Sequence, residues 1–106
     1  MQEKVSETEI NKAIRLCIDS GKVKFGLKTA TKHALIGKGK LIILSSSAPM
    51  EKVQDIKRYA KLSNLPVYLS SLNSKELGSL CGKPFLVSAI LIESVGNSKI
   101  LELVKT

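Results

Sequence analysis

Apolar residues recur at helical spacing near the start of the chain and in short β-branched runs further along. The first helical stripe consists of Ile10, Ala13, Ile14, Cys17 and Ile18. Residues 6–9 have the Ser-x-x-Glu pattern of a capping box, and Val5 is placed to pack on Ile10 across it. Gly21 follows the stripe as a typical helix stop. The pattern predicts an amphipathic first helix.

The rest of the chain alternates between strand patterns and helical patterns. Strands are predicted at residues 23–25, 40–44, 67–69 and 87–92, and the apolar run at 40–44 is expected to be buried on both faces. Helices are predicted over residues 27–36, from Pro49 as first helical residue to a left-handed cap at Asn64, from a capping box at residues 73–76 to Gly82, and from residues 96–98 onward. In the third helix the residues expected to point inward are Val53, Ile56, Tyr59, Ala60 and Leu62.

This alternation of helices and strands defines the expected fold class. A sheet whose connections are helices is covered by those helices on both faces. We therefore expect an α/β protein, a three-layer α/β/α sandwich with a four-stranded mixed sheet. A chain of 106 residues is the size of one domain, so residues 1–106 are predicted to form a single domain.

The charge distribution makes this α/β protein a candidate polyanion binder. The formal net charge is +8. Residues 22–40 contain no acid and six lysines, which are Lys22, Lys24, Lys28, Lys32, Lys38 and Lys40. This segment supplies +6 of the total. A solvated lysine-rich face is the alternative to a phosphate-binding surface, and the exclusion of every acid favours the phosphate-binding surface.

Reactive side chains are too sparse to predict an enzyme. His33, the single histidine, is expected to be structural or exposed. Gly-Lys-Gly-Lys at residues 37–40 lacks Walker spacing, and the serines at 45–47 lack the G-x-S-x-G pattern. Cys17 and Cys81 have no Cys-x-x-Cys or histidine neighbour and are expected to be buried thiols. We expect no catalytic residue, no metal and no cofactor.

The hydropathy pattern also bears on localisation. No signal peptide pattern opens the sequence, and no apolar run approaches the roughly 18 residues that a membrane span needs. The longest apolar stretch, at residues 87–92, is interrupted by Ser88. The sequence therefore predicts a cytoplasmic protein with no membrane partner.

The start of the second predicted helix carries residue types suited to a folded RNA. Gly26 ends a strand there, backbone N–H groups can face a phosphate or a base edge, and the missing Cβ lets a partner approach. Lys28 and Lys32 lie four residues apart on one helical face, beside hydroxyl donors on Thr29 and Thr31. A plain strand-to-helix turn is the alternative for Gly26 alone, and the combination with the lysines favours binding.

A second candidate segment precedes the last predicted strand. Gly82-Lys83-Pro84-Phe85 places an aromatic ring directly after a proline turn. Phe85 taken alone suits a core position, whereas at a strand edge its face can stack on a flipped-out base, a contact worth about 1–3 kcal/mol. RNA recognition depends on such unstacked bases because the deep A-form groove is closed to side chains.

Several separated segments resemble one family of RNA-binding proteins. They are Ser20-Gly21-Lys22, Gly26-x-Lys28-x-x-x-Lys32, Lys40-Leu41-Ile42-Ile43, Tyr59-Ala60-x-Leu62-Ser63, Pro66-Val67-Tyr68, Glu76-Leu77-Gly78 and Gly82-Lys83-x-Phe85. Together with the order of elements, they are similar to the L-thirty-e family of archaeal and eukaryotic large-subunit ribosomal proteins, within the wider kink-turn RNA-binding superfamily. The similarity covers essentially the whole chain.

The resemblance implies an α/β/α sandwich that binds an RNA helix–internal-loop–helix through three loops at one end. Carried onto this sequence, the implied RNA-binding residues are Gly26, Leu27, Lys28, Thr29 and Lys32 in the first region, Ser46 and Ser47 in the second, and Lys83, Pro84, Phe85 and Leu86 in the third. Gly26 and Lys28 would contact sheared purine pairs and the adjacent backbone, and Phe85 would stack on an extruded base.

The sequence departs from the family pattern at two of these positions. Family members often carry Asn where Ser47 stands, and some carry a basic residue where Leu86 stands. Lys28-Thr29 replaces the Asn-Glu pair of the more promiscuous kink-turn proteins, which favours the L-thirty type. These differences are expected to alter the affinity for RNA. At Ser47 the reason is that an amide holds its donor and acceptor in fixed positions against a base edge, whereas a hydroxyl rotates.

The predicted function is a structural constituent of the large ribosomal subunit that binds a kink-turn or internal loop of ribosomal RNA and stabilises its bent form. Its expected partners are that RNA and neighbouring ribosomal proteins, and the free protein is expected to be a monomer in the cytoplasm. A kink-turn-binding subunit of another small ribonucleoprotein is one alternative. A protein-interaction module of the same fold is the other, which the lysine excess disfavours.

Overall fold

The computed structural model describes residues 7–96 and residue 100. In chain order the elements are α1 (Glu7–Ser20), β1 (Lys22–Phe25), α2 (Leu27–Ile36), β2 (Leu41–Leu44), α3 (Met50–Ser63), β3 (Val67–Leu69), α4 (Ser74–Leu80) and β4 (Ala89–Ser94). The start of the first predicted capping box and most of the last predicted helix lie outside the described residues.

The four strands form one mixed sheet in the order β1-β4-β2-β3. β4 lies between β1 and β2 and runs antiparallel to both, and β2 runs parallel to β3. Strands β1, β2 and β3 therefore point the same way, and β4 points the opposite way. All four residues of β2 are fully buried, which confirms the prediction for residues 41–44 of this central strand. Lys40, which the predicted strand included, lies before β2 and is exposed.

Helices cover both faces of the sheet, which confirms the α/β/α sandwich. On one face α1 and α4 share a core with residues that include Ile14, Cys17, Leu41, Ile43, Leu77, Ile90 and Ile92. On the other face α2 and α3 share a core with residues that include Ala30, Ala34, Ile42, Leu44, Ile56, Ala60 and Leu91. The alternation along β2 and β4 between the two cores follows from the two-residue period of a strand. Each fully buried aliphatic side chain contributes roughly 1.5–3 kcal/mol to this arrangement.

The sequence-based element boundaries hold closely for α2 and β3, and three details were wrong. Pro49 has φ −58° and ψ 134°, so it precedes α3 as its cap and is not the first helical residue. Leu62 is 81% exposed, because it lies two residues beyond buried Ala60 and so about 200° around the helix from it. β4 begins at Ala89 and not at Val87, since the Val87 N–H donates to the Ser74 carbonyl at the start of α4.

Candidate nucleic-acid interface

The strand directions bring the three predicted RNA-binding loops to one end of the sheet. The carboxyl ends of β1, β2 and β3 and the amino end of β4 lie together, with Leu44 paired to both Leu69 and Ala89, and Phe25 paired to Ile90. We call this the loop end. It carries the β1–α2 junction, the β2–α3 loop and the segment between α4 and β4.

Gly26 joins β1 to α2 in a backbone conformation that favours glycine. Its φ of 119° lies in the region that L side chains rarely adopt, and a Cβ there would meet no heavy atom within 4 Å. Its own N–H donates to the Ala89 carbonyl at 2.9 Å, and its carbonyl accepts the Ala30 N–H at 3.1 Å. The N–H groups of residues 27–29 thus precede the first helical hydrogen bond, beside an open approach to the backbone.

The lysines predicted to share one helical face do so. A surface groove of about 490 Å³ is lined by Leu27, Lys28, Thr31, Lys32, Leu35 and Lys52. Thr31 is not the hydroxyl donor that the sequence suggested, because its Oγ1 donates to the Leu27 carbonyl at 2.7 Å. Lys52, in the first turn of α3, is not among the residues predicted from the sequence, because its position beside α2 depends on how the two helices pack.

Phe85 is 52% exposed, which decides between its two sequence-based interpretations in favour of an accessible ring. It contacts Phe25 edge to face, with ring centroids 6.1 Å apart and planes at 77°. The Lys83 ammonium lies 5.5 Å from the Phe25 ring centroid. Phe25 directly precedes Gly26, so this cluster connects the β1–α2 junction to the α4–β4 segment. Sequence analysis missed Phe25, whose alternation in β1 indicated only a strand.

The α4–β4 segment lies directly against α4. A Cβ on Gly78 would overlap the Phe85 carbonyl oxygen and come within 3.7 Å of the Val87 nitrogen. The Lys83 N–H donates to the Gly78 carbonyl at 2.9 Å. Phe85 is therefore held at the surface by close backbone packing. The neighbouring Pro84 and Leu86 are also exposed, and together with Lys75 and Ser79 these residues line another groove, of about 380 Å³.

The β2–α3 loop contributes exposed serines at the same end. The Ser46 N–H donates to the Leu72 carbonyl at 2.8 Å. The Ser47 hydroxyl accepts the Ser74 N–H at 2.9 Å and lies 2.8 Å from the Ser74 hydroxyl. Ser47 is thus tied to the start of α4, a contact that no sequence pattern indicated. The loop end combines an open backbone, lysines, an exposed ring and serine hydroxyls.

The acid-free segment does not form one continuous basic face. Lys28 and Lys32 lie near the loop end, whereas Lys22, Lys38 and Lys40 lie next to the amino ends of β1 and β2, at the opposite end of the sheet. Lys24 forms an ion pair with Glu93 at 3.5 Å. The lysine density of the sequence is therefore divided between two ends, and only part of it can serve the candidate site.

The remaining candidate groups have structural surroundings. His33 Nδ1 lies 2.9 Å from the Thr29 carbonyl within α2, in agreement with its predicted structural role. Cys17 and Cys81 are buried free thiols, as predicted. Burial raises the pKa of the Cys81 thiol to about 11, against the lowering effect of Lys83 and Arg15, so this sulfur is a poor nucleophile at neutral pH.

Within residues 7–96 and 100, His, Cys, Asp and Glu side chains nowhere gather in a group of three or more that could hold a metal ion. Among the helices of those same residues, none is long and apolar enough to cross a membrane.

The sequence matches one class of proteins over most of its length. The model of the ribosomal protein L7Ae/L30e/S12e/Gadd45 family matches residues 8–102, and the chain belongs to this family. Among its relatives, the large ribosomal subunit protein eL30 of Methanocaldococcus jannaschii is 48% identical over 97 residues, which cover 92% of this chain and 88% of the relative. The eL30 of Methanothermobacter thermautotrophicus is 47% identical over 96 residues, or 91% of this chain and 98% of the relative. The eL30 of Saccharolobus solfataricus is 43% identical over 104 residues, or 96% of each chain.

Proposed function

We propose that the protein is a structural constituent of the large ribosomal subunit that binds a kink-turn or related internal loop of ribosomal RNA. Family membership and full-length similarity to eL30 proteins support the ribosomal role. The observation that carries the RNA-binding proposal is the convergence of Gly26, Lys28 and exposed Phe85 at the loop end. Gly26 and Lys28 lie far from Phe85 in the sequence, and the contact between Phe25 and Phe85 joins the two regions.

Each part of the loop end has a distinct role in the proposed complex. The N–H groups at the start of α2 and the ammonium groups of Lys28 and Lys32 contact phosphates, because a helix amino terminus and lysines both favour negative charge. The open backbone at Gly26 admits a base edge. Phe85 stacks on an extruded base. Leu27, Thr29, Ser46, Ser47, Lys83, Pro84 and Leu86 complete the proposed contact surface.

The proposed mechanism is a shift of RNA population. An internal loop exchanges between extended and bent forms, and a protein that binds the bent form better makes that form dominant. The three loops fit this role because an internal loop offers unstacked bases as well as phosphates. In this mechanism the protein binds the RNA without making or breaking covalent bonds. It acts as a single domain that is monomeric when free. Its place of action is the cytoplasmic ribosome, among neighbouring ribosomal proteins.

A binding titration against two RNAs tests this function. One RNA carries an asymmetric internal loop with tandem G·A pairs, and the other is the same stem fully paired. We expect tight binding to the loop RNA alone. The slope of log affinity against log salt should be smaller than the total number of lysines would give, since only some lysines lie near the loop end. Equal and steeply salt-dependent binding to both RNAs would reduce the protein to a basic surface and favour a protein-interaction module. Tighter binding to internal loops of other ribonucleoproteins than to ribosomal loops would favour a kink-turn-binding subunit of another small ribonucleoprotein.

A further inference from the structure

Four serine hydroxyls meet where the β2–α3 loop, the start of α4 and the segment before β4 come together. Ser74 is at the centre of this serine cluster. Its Oγ lies 2.8 Å from Ser47 Oγ, 3.1 Å from Ser45 Oγ and 3.2 Å from Ser88 Oγ. A hydroxyl group donates one hydrogen bond and accepts two, so these three neighbours match its full capacity.

The backbone of Ser74 makes the same connection. Its N–H donates to Ser47 Oγ at 2.9 Å, and its carbonyl accepts the Val87 N–H at 3.1 Å. The Ser45 N–H in turn donates to the Ser88 carbonyl at 2.9 Å. Ser74 therefore holds the β2–α3 loop through its N–H and side chain, and the α4–β4 segment through its carbonyl and side chain.

The Ser74 hydroxyl is not needed to begin α4. Asn73 is the cap of that helix, and its Oδ1 accepts the Glu76 N–H at 2.8 Å. Glu76 Oε1 accepts the Asn73 N–H at 3.0 Å and completes the capping box. Because the helix start is satisfied without it, the Ser74 hydroxyl is available to join the two loops.

We infer that Ser74 is a positioning residue that fixes the β2–α3 loop and the Phe85-bearing segment relative to each other before RNA arrives. The inference rests on the proposed RNA-binding function. Val87 follows Phe85 by two residues, so a tether at Val87 and Ser88 limits where the Phe85 ring can lie. A loop that is already ordered loses less conformational entropy on binding, and affinity rises accordingly.

The test removes the hydroxyl and leaves the capping box in place. Ser74→Ala is expected to weaken binding to the loop RNA by about threefold to tenfold, the range of one net hydrogen bond. The salt slope should stay unchanged, because no phosphate contact is lost. Ser63→Ala is the matched control: it removes a 2.9 Å hydrogen bond to the Ala34 carbonyl between α3 and α2, at the end opposite the loops. It should leave RNA affinity unchanged.

Two further readouts separate positioning from a general loss of stability. Amide exchange of Val87 in the free protein should be faster in Ser74→Ala than in wild type and Ser63→Ala. In a double-mutant cycle, Ser74→Ala should cost less in a Phe85→Ala background than in wild type, because the ring that it positions is absent.

The possible results distinguish the inference from the proposed function. Additive effects in the cycle, unchanged affinity of a folded Ser74→Ala, or equal losses in Ser63→Ala would overturn the positioning role. Unchanged Val87 exchange would overturn it without reference to RNA. A wild-type protein that does not prefer loop RNA would instead overturn the proposed function.

Discussion

At the scale of single residues, Phe85 shows how far a residue type can be interpreted before its neighbours are known. A Phe next to a predicted strand taken alone favours a core position over a binding surface, and the outcome depends on a backbone contact. Gly78 lets the Phe85 carbonyl approach α4 closely, and the Phe85 ring is left half exposed. The Phe25 ring contacts it in an edge-to-face arrangement.

Removal of the Phe85 ring is expected to weaken binding to the loop RNA substantially. Phe85→Ala should cost about 1–3 kcal/mol of binding free energy, the usual effect of losing one base–aromatic stack. The salt slope should barely change because stacking is not ionic. A titration at several salt concentrations measures both quantities. Leu62→Ala is the control, since this side chain is 81% exposed on α3 and lies outside the loop end. Wild-type affinity in Phe85→Ala would remove the stacking role.

Loss of the Lys28 ammonium should be visible in the salt dependence. Lys28→Ala is expected to reduce the slope of log affinity against log salt by up to about one unit, because each phosphate contact releases condensed counterion. The comparison is Lys12→Ala, which removes an exposed lysine from α1 on the opposite face of the sheet. An identical slope in Lys28→Ala and wild type would show that Lys28 does not contact a phosphate.

At the scale of elements, periodicity and capping patterns predicted nearly every helix and strand of the described residues. The Asn73–Glu76 capping box was predicted from spacing alone, and both of its hydrogen bonds are present. Asn64 was predicted as a left-handed cap and has φ 59°. Local signals suffice in these places because the interactions span only a few residues.

The candidate site was less predictable because most of its contacts join distant parts of the chain. Residue types indicated Gly26 and Lys28, but the partners Phe25, Lys52 and Ser74 became visible only through packing. Ser74 looked like an ordinary first-turn residue, and three hydroxyls from two other segments surround it. Contacts between loops that are distant in the sequence leave no periodic pattern from which they could be predicted.

The contact between α4 and the segment that follows it can be tested at Gly78. Gly78→Ala adds a methyl group that overlaps the Phe85 carbonyl, so the segment must move. We expect a loss of about 1–3 kcal/mol in the free energy of unfolding, which is typical of overpacking, together with weaker RNA binding. Urea unfolding and the loop-RNA titration measure the two effects. Ser79→Ala, an exposed change on the same helix, should leave the free energy of unfolding close to that of wild type. Wild-type stability in Gly78→Ala would contradict the close packing.

At the scale of the whole molecule, sheet topology brings residues that lie up to sixty positions apart in the sequence onto one candidate binding surface. Because β4 runs against its neighbours, the segment before it meets the ends of β1 and β2. The same topology sends Lys22, Lys38 and Lys40 to the other end. Net charge therefore predicted a polyanion partner in general, whereas strand direction determines which lysines can reach a given RNA.

The central claim is that the protein stabilises the bent form of an internal loop, and energy transfer between dyes on the two RNA helices tests it most directly. The loop RNA and its fully paired counterpart are compared with and without saturating protein, at low magnesium, where the free loop RNA is mostly extended. We predict that protein brings the helices of the loop RNA together and leaves the paired RNA unchanged. Phe85→Ala is measured at the same degree of saturation as wild type, so that a difference between the two does not come from the amount of bound protein. Bound loop RNA that keeps the extended distance would contradict the account, since binding would then occur without selection of the bent form.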